Sequence, residues 1–347
     1  KMAIHLAPLF TEPLMPPRFL PLVLAAGLLL GLSGCKDASE LKLNSASTAP
    51  APALPGKPPP EPEKKTIALV MKTLTNPFFT AMEQGARRAE RQLGVQLLVK
   101  VAAQETSIEQ QIQIVDDLVT AKVDAIVIAP GDSQRLVPVL KRAADAGIKL
   151  VNLDNRLDPD AVQKAGLAPI PFLSVDNEKA AYAAAQWLAK DARPGTQAIV
   201  LEGIRSADNA RQRHQGATRA LADNPAVQLV ASESAHWKID EGHAVTRNLL
   251  TRHPKAQLVY AANDMMALGA IQYLQEAGRT DVKVGGYDAI DDAVAEVRTG
   301  RLAVTVDQQA AEQGFQGVQL AQRLLAGDKV PLVTLVDVRL VTLDSLR

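Results

Sequence analysis

The sequence predicts an α/β protein of two lobes, each built on a parallel sheet, with a ligand cleft between them. Three observations lead there. Short continuous aliphatic runs such as "TIALVM" and "DAIVIAP" recur without polar alternation, as strands covered on both faces do. Segments with helical spacing separate most of them, and strand–helix alternation favours parallel strands wound by right-handed crossovers. About ten such runs occur, too many for one comfortable sheet, so they divide into two sheets of five or six.

Length and composition agree. The chain has 347 residues, which suggests about two domains at ~150 residues each, and 47% of them are hydrophobic, enough for a sizeable core. Its 38 basic and 38 acidic residues cancel, which gives no support for broad electrostatic binding of nucleic acid or a membrane surface. The single cysteine, Cys35, excludes an internal disulfide and a thiolate metal site. The five histidines show no metal-ligand spacing, and no P-loop, Gly-x-Gly-x-x-Gly or nucleophile elbow occurs. Neither cofactor, metal nor catalysis is expected.

Taken in order, the chain opens with an export signal. Arg18 precedes an apolar stretch over residues 19–32, then small residues, too short and wrongly flanked for an ordinary membrane span. "LSGC" ends it and resembles the bacterial lipobox, which would make Cys35 the lipidated first residue of the mature protein. The long segment before Met15 makes Met15 the expected start. Residues 1–34 are thus assigned to a signal peptide. Residues 35–65, with "STAPAPALPGKPPPEPEKK", read as the lipidated cysteine and an extended, partly polyproline tether.

From Thr66 the pattern changes to "TIALVM", "GVQLLVKV", "DAIVIAP", "GIKLVNL" and "PFLSV", then "QAIVLEG", "VQLVAS", "AQLVYAA", "VKVGGY" and "LAVTV", all of strand length. Asn76-Pro77 after the first run is an N-cap followed by proline at the first helical position. After the second, Ser107 is the expected N-cap of a helix whose Ile108, Ile112, Val115, Leu118 and Val119 share one face. The break between lobes falls at residues 166–177, where two prolines interrupt the rhythm. The first lobe takes residues 66–175 plus 309–336, and the second 176–308 plus 337–347. Asp291-Asp292 reads as an exposed helix start.

In open α/β sheets ligands sit beyond the carboxyl ends of the strands. Those ends carry Lys72, Asn76, Phe78 and Phe79; then Asp154, Asn155 and Arg156; then Arg205, Asp208, Asn209, Arg211 and Arg213. Further on stand Trp237, Asn263-Asp264, Asp288, Asp307 and Gln308. The set suits a polyhydroxylated small molecule, whose hydroxyls both donate and accept while its C–H face packs on an aromatic ring. Each residue has a plainer role. Asn76 caps a helix, and so does Asn263 or its neighbour Asp264. Phe78 and Phe79 lie about 100° apart on a helix, so one is core and the other faces the cleft, unless both do. Trp237 would fill a core, and Lys72 is a solvated strand-end lysine or a partner for Asp154.

"NPFF", "LDNR", "NARQR", "ANDMMALGA", "GGYDAI" and "TVDQ" occur in the order found in bacterial periplasmic sugar-binding proteins of the ribose-binding type. The chain resembles that type I periplasmic binding protein family from about Thr66 to its carboxyl terminus. The resemblance implies two Rossmann-like lobes with three interdomain crossings that close on a pentose or hexose. Matched residue by residue, it implies contacts from Asn76, Phe78, Phe79 and Asp154 in the first lobe. In the second it implies Arg211, Trp237, Asn263 and Asp288, with Gln308 at a crossing. Lys72 departs from the pattern, where ribose binders carry a small hydroxyl residue. So does Asp154-Asn155-Arg156, where they carry Asp-Arg, and the region after Arg156 is longer.

The expected function is a lipid-anchored, monomeric solute-binding protein that delivers a sugar to an ABC permease by lobe closure. The alternative is a sensor that feeds a chemoreceptor or sensor kinase. A neutral pentose, hexose or cyclitol is the expected ligand. The surplus of Lys72, Arg211 and Arg156 over Asp154 and Asp288 would also admit a sugar acid or a phosphorylated sugar.

Overall fold

The computed structural model describes residues 64–347. Cys35, the signal segment and nearly all of the tether lie outside the described residues.

The first sheet is assembled from β1 (Thr66–Met71), β2 (Gln96–Val101), β3 (Ala125–Ile128), β4 (Lys149–Leu153), β5 (Phe172–Ser174) and β11 (Val333–Leu335), in the order β11-β5-β4-β3-β1-β2. The second holds β6 (Thr196–Glu202), β7 (Val227–Ser234), β8 (Ala256–Ala261), β9 (Lys283–Gly285), β10 (Leu302–Asp307) and β12 (Arg339–Thr342), in the order β12-β10-β9-β8-β6-β7. Every pairing is parallel except β10–β12, which is antiparallel at the sheet edge. All ten apolar runs form strands. Ile67–Met71 and Ala125–Ile128 are fully buried, as central strands covered by helices must be.

The chain passes between the sheets three times: from β5 into α5 (Asn177–Leu188), from β10 into α10 (Ala310–Leu325), and from β11 to β12. Helix α5 packs on α6 (Asp208–Ala222) and β10 of the second sheet, whereas α10 returns to α1 (Pro77–Leu93) and β4 of the first. The first crossing, at Val175 and Asp176, lies at the end of the 166–177 segment. The longer region after Arg156 folds into a short helix, α4 (Pro159–Lys164), capped by Asp158.

Local details differ from expectation in one place. Helix α2 (Ile108–Thr120) buries Ile108, Val115 and Leu118 with Ile112 and Val119 packed beside them, but the Ser107 hydroxyl makes no capping bond. Buried Gln111 ties the helix to the chain after β3 instead, donating to Ala129 O at 2.9 Å and accepting from Gly131 N at 2.8 Å.

Helix α10 can return to the first lobe only because two glycines let backbones meet. A Cβ at Gly85 would lie 1.7 Å from Ala311 O, and one at Gly314 would lie 2.0 Å from Met82 O. Both obstacles are backbone and cannot swing aside. Gly314→Ala is therefore expected to cost at least ~1–3 kcal/mol, the usual penalty for overpacking. Urea melts read this, and a melt unchanged within error would contradict the close approach.

Candidate functional site

The strand ends of both sheets converge on one buried polar layer. From β1 comes Lys72, whose side chain is only 3% exposed. Its Nζ lies 2.8 Å from Asp154 Oδ2, outside hydrogen-bond geometry, and 3.8 Å from Glu105 Oε2. It also stands 5.5 Å from the centre of the Phe79 ring. Asn76 plays two parts. Its Oδ1 accepts from Phe78 N at 3.1 Å and caps α1, while its Nδ2 donates to Glu105 Oε1 at 3.0 Å. Phe78 and Phe79 meet edge to face, their centres 5.0 Å apart and the planes at 79°. Phe78 and Asp288 both line a cavity of about 380 Å³ that reaches Gln309 beside the second crossing. The first-lobe aromatic and the second-lobe acid thus share one wall.

Asp154 follows β4 in the left-handed conformation, φ 57°, an unfavourable state for a non-glycine residue that its surroundings must hold. Its Oδ1 accepts from Asn209 Nδ2 of the other lobe at 3.2 Å. Asn155 joins the lobes rather than lining the layer. It donates to Pro130 O at 2.9 Å and accepts from Asn209 N at 3.2 Å. Ser133 adds a second bridge, with its N donating to Ser206 O at 3.2 Å and its Oγ accepting from Asp208 N at 2.9 Å. The lobes are closed on each other through these bonds.

In the second lobe Arg213 is the organising charge. Its Nε donates to Asn177 Oδ1 at 2.8 Å and one Nη donates to Ala262 O at 2.9 Å. The same Nη is 3.5 Å from Asp288 Oδ1, and the other donates to Gln308 Oε1 at 3.4 Å. The guanidinium stacks 3.7 Å from the Tyr287 centre and 5.6 Å from that of Trp237. Asp288, at φ 121°, also accepts from Gln308 Nε2 at 2.7 Å. Asn263 caps α8 (Asp264–Glu276) and its Nδ2 donates to Trp237 O at 3.3 Å. Trp237 itself has φ 68° and lies against Gly203, where a Cβ would fall 2.0 Å from its ring. Only glycine fits there.

The electrostatics follow from burial. Desolvation pushes the Asp288 carboxyl well above its ordinary range, with Arg213 pulling it back and Asp264 and Glu105 adding to the rise. Glu105 is likewise raised by burial against the pull of Lys72 and the Asn76 bond. Burial works against the charge of Arg213, but Tyr287, Asp288 and Asp154 outweigh it and hold the guanidinium above its usual pKa. Among the described residues no group of three or more His, Cys, Asp or Glu side chains could hold a metal ion.

Of the residues singled out in the sequence, Lys72, Asn76, Phe78, Phe79, Asp154, Trp237, Asn263, Asp288 and Gln308 are brought together, all buried. Three are not. Arg211 is exposed and bound to Asp208 Oδ1 at 3.0 Å and Arg205 O at 3.4 Å. Arg156 faces the opposite way, over Phe172, in an apolar groove with Leu157, Ile170 and Leu332. Asn155 is consumed by the lobe contact. Three further residues belong to the layer: Glu105, which the sequence did not single out, and Asn209 and Arg213, which stand in the strand-end set but not among the contacts the resemblance implies. Asn209 and Arg213 are four apart on α6 and so share a face, from which Arg211 is turned away.

The likeness to known proteins fits this architecture. Residues 67–329 match the model of the periplasmic binding protein domain. The D-ribose/D-allose-binding protein of Pseudomonas aeruginosa is 42% identical over 269 residues, covering 77% of this chain and 84% of that one. The ribose import binding protein of Escherichia coli is 35% identical over 278 residues, covering 80% and 90%. Among solved structures, an ABC transporter periplasmic solute-binding protein from Actinobacillus succinogenes with bound D-allose superposes with a TM-score of 0.76. It is 37% identical, over 81% of this chain and 99% of that one. These relatives are binding proteins rather than enzymes. With two α/β lobes closed over a buried polar layer and the family's domain matched across most of its length, the chain belongs to the periplasmic binding protein family.

Proposed function

We propose that this protein is the extracytoplasmic receptor of an ABC importer for an aldose of the D-ribose or D-allose kind. One observation carries the reading. Asn209 Oδ1 and the Trp237 indole N–H are buried with no hydrogen-bond partner, and Asp154 Oδ2 has only its ion pair with Lys72, in the layer where the two lobes meet. Buried polar atoms are rarely left unsatisfied, so an unpartnered acceptor and an unpartnered donor in one layer call for a ligand that both donates and accepts. Sugar hydroxyls do both. Phe78, Phe79 and Trp237 supply the apolar surface that the C–H face of a sugar ring packs on. Lys72, Asn76, Asp154, Asn209, Arg213, Asn263, Asp288 and Gln308 supply the polar contacts.

Binding would proceed by hinge closure. Each lobe offers half of the layer, the three crossings act as the hinge, and the Ser133–Ser206 and Asn155–Asn209 bonds latch the closed form that a permease recognises. Lipidation at Cys35, with residues 36–65 as the tether, would keep a monomeric receptor at the membrane that carries the importer. Labelling of the full chain, but not of Cys35→Ala, by a radioactive fatty acid tests the anchor.

The sugar reading is tested by a thermal-shift screen of residues 64–347 against D-ribose, D-allose and their epimers. A ligand at ~100 times its Kd should stabilise the fold by about 2.7 kcal/mol. A screen in which no carbohydrate moves the melting temperature would refute it.

A further inference from the structure

We propose that Glu105 is a specificity-determining residue that neutralises Lys72 and closes the cleft to anionic sugars. The inference rests on the sugar-binding reading above and adds a class of ligand that the site refuses. Glu105 follows β2 in the loop before α2, yet its carboxylate lies in the buried layer, between Asn76 Nδ2 at 3.0 Å and Lys72 Nζ at 3.8 Å. Lys72 is therefore held by two carboxylates at once, Glu105 on one side and Asp154 Oδ2 at 2.8 Å on the other.

The charges of the layer can be compared directly. Lys72 and Arg213 are its cations; Asp154, Asp288 and Glu105 are its carboxylates, and Asp264 lies behind Asp288. Arg156 and Arg211, the other positive groups suggested by the sequence, stand outside. A ligand carboxylate or phosphate entering this layer would meet an ammonium already ion-paired to two carboxylates and a guanidinium already committed to Asp288 and Gln308. It would do so where burial leaves charge repulsion poorly screened. A neutral hydroxyl meets no such barrier. Glu105 also borders an interlobe groove of about 280 Å³ with Asn76, His236, Trp237 and Lys238.

The test compares two probes with the same pyranose ring, D-allose and its C6 carboxylate D-alluronate, by isothermal titration at pH 8. The proteins are the native full chain, Glu105→Gln and Glu105→Ala. Glutamine retains an acceptor for Asn76 and removes only the charge; alanine serves if the glutamine variant fails to fold. The ratio of the two Kd values, acid over neutral, is expected to fall at least tenfold in either folded variant. A merely structural role would weaken both probes alike and leave the ratio unchanged. A ratio within threefold of the native value overturns the inference, as does a variant that binds D-allose with no detectable affinity for the acid. Failure of the native chain to bind either D-allose or D-ribose overturns the sugar reading itself, and this inference with it.

Discussion

Replacing Arg213 with alanine is expected to lower sugar affinity by two to three orders of magnitude, whereas Arg211→Ala should leave it within about twofold. Arg213 is buried and reaches Asn177, Ala262, Asp288 and Gln308 at once. Truncating it removes the counter-charge of a buried carboxylate, and breaking such a pair costs roughly 3–5 kcal/mol. Part of that loss will appear as lower stability, because Asp288 remains buried whether or not ligand is present. Part will appear as lost affinity, because Asp288 and Gln308 lose the group that aims them. Arg211 holds only exposed partners, Asp208 and Arg205 O, and exposed pairs contribute about 0–1 kcal/mol. Titration calorimetry on both variants, with melts to separate folding from binding, decides the matter. Equal losses in the two would show that the other face of α6 meets the ligand.

That pair of arginines also shows where the sequence is legible and where it is not. The central strands are plain because burial on both faces leaves nothing but aliphatic side chains. Strands β11 and β12 are not, since they are short edges: Val333 and Leu335 are exposed, so they lack the two-sided burial that marks the central strands. Within "NARQR" the family motif points to an arginine, and the resemblance selects Arg211. Residues two apart on a helix point about 200° away from each other, so only one of Arg211 and Arg213 can face the cleft. Asn209 and Arg213, at a spacing of four, are the readable signal. Glu105 is within reach of the same reasoning. The rule that functional groups follow strand ends, applied to "GVQLLVKV", leads to Gln104-Glu105. Its pairing with Lys72 is beyond the sequence, because the two sit on different strand ends and meet only through the β1–β2 register, which sets Met71 opposite Val101. Arg156 falls outside the layer because the chain after Asn155 turns away from the cleft, toward Phe172 and α4.

Stability should also vary with pH in a way that isolates Asp264. This carboxyl is fully buried behind Asp288, accepting from Thr305 Oγ1 at 2.7 Å and from Ile290 N at 3.1 Å. These bonds, with Asp264 N donating to Tyr287 O at 2.7 Å, fix the turn that presents Asp288. Burial raises its pKa from 3.8 to about 6, with the hydrogen bonds from Thr305 and Ile290 pulling it back. The folded chain thus holds this proton more tightly than the unfolded chain does. Its contribution to stability is complete below the ordinary value and is lost as pH rises through about 6. Each tenfold gain in proton affinity corresponds to ~1.4 kcal/mol, so the whole contribution is about 3 kcal/mol. Asp264→Asn removes the titration while keeping the shape. Its carbonyl can still accept from Ile290 N, and its amide can donate to the Thr305 hydroxyl oxygen, which already accepts from Ala289 N at 3.2 Å. The native chain should therefore lose stability relative to Asp264→Asn between about pH 4 and pH 6.5 and then run parallel to it. Urea melts across that range measure the difference. A flat difference, or one that grows in favour of the native chain as pH rises, would mean that the carboxyl is ionised in the fold and that Asp288 alone carries the buried proton.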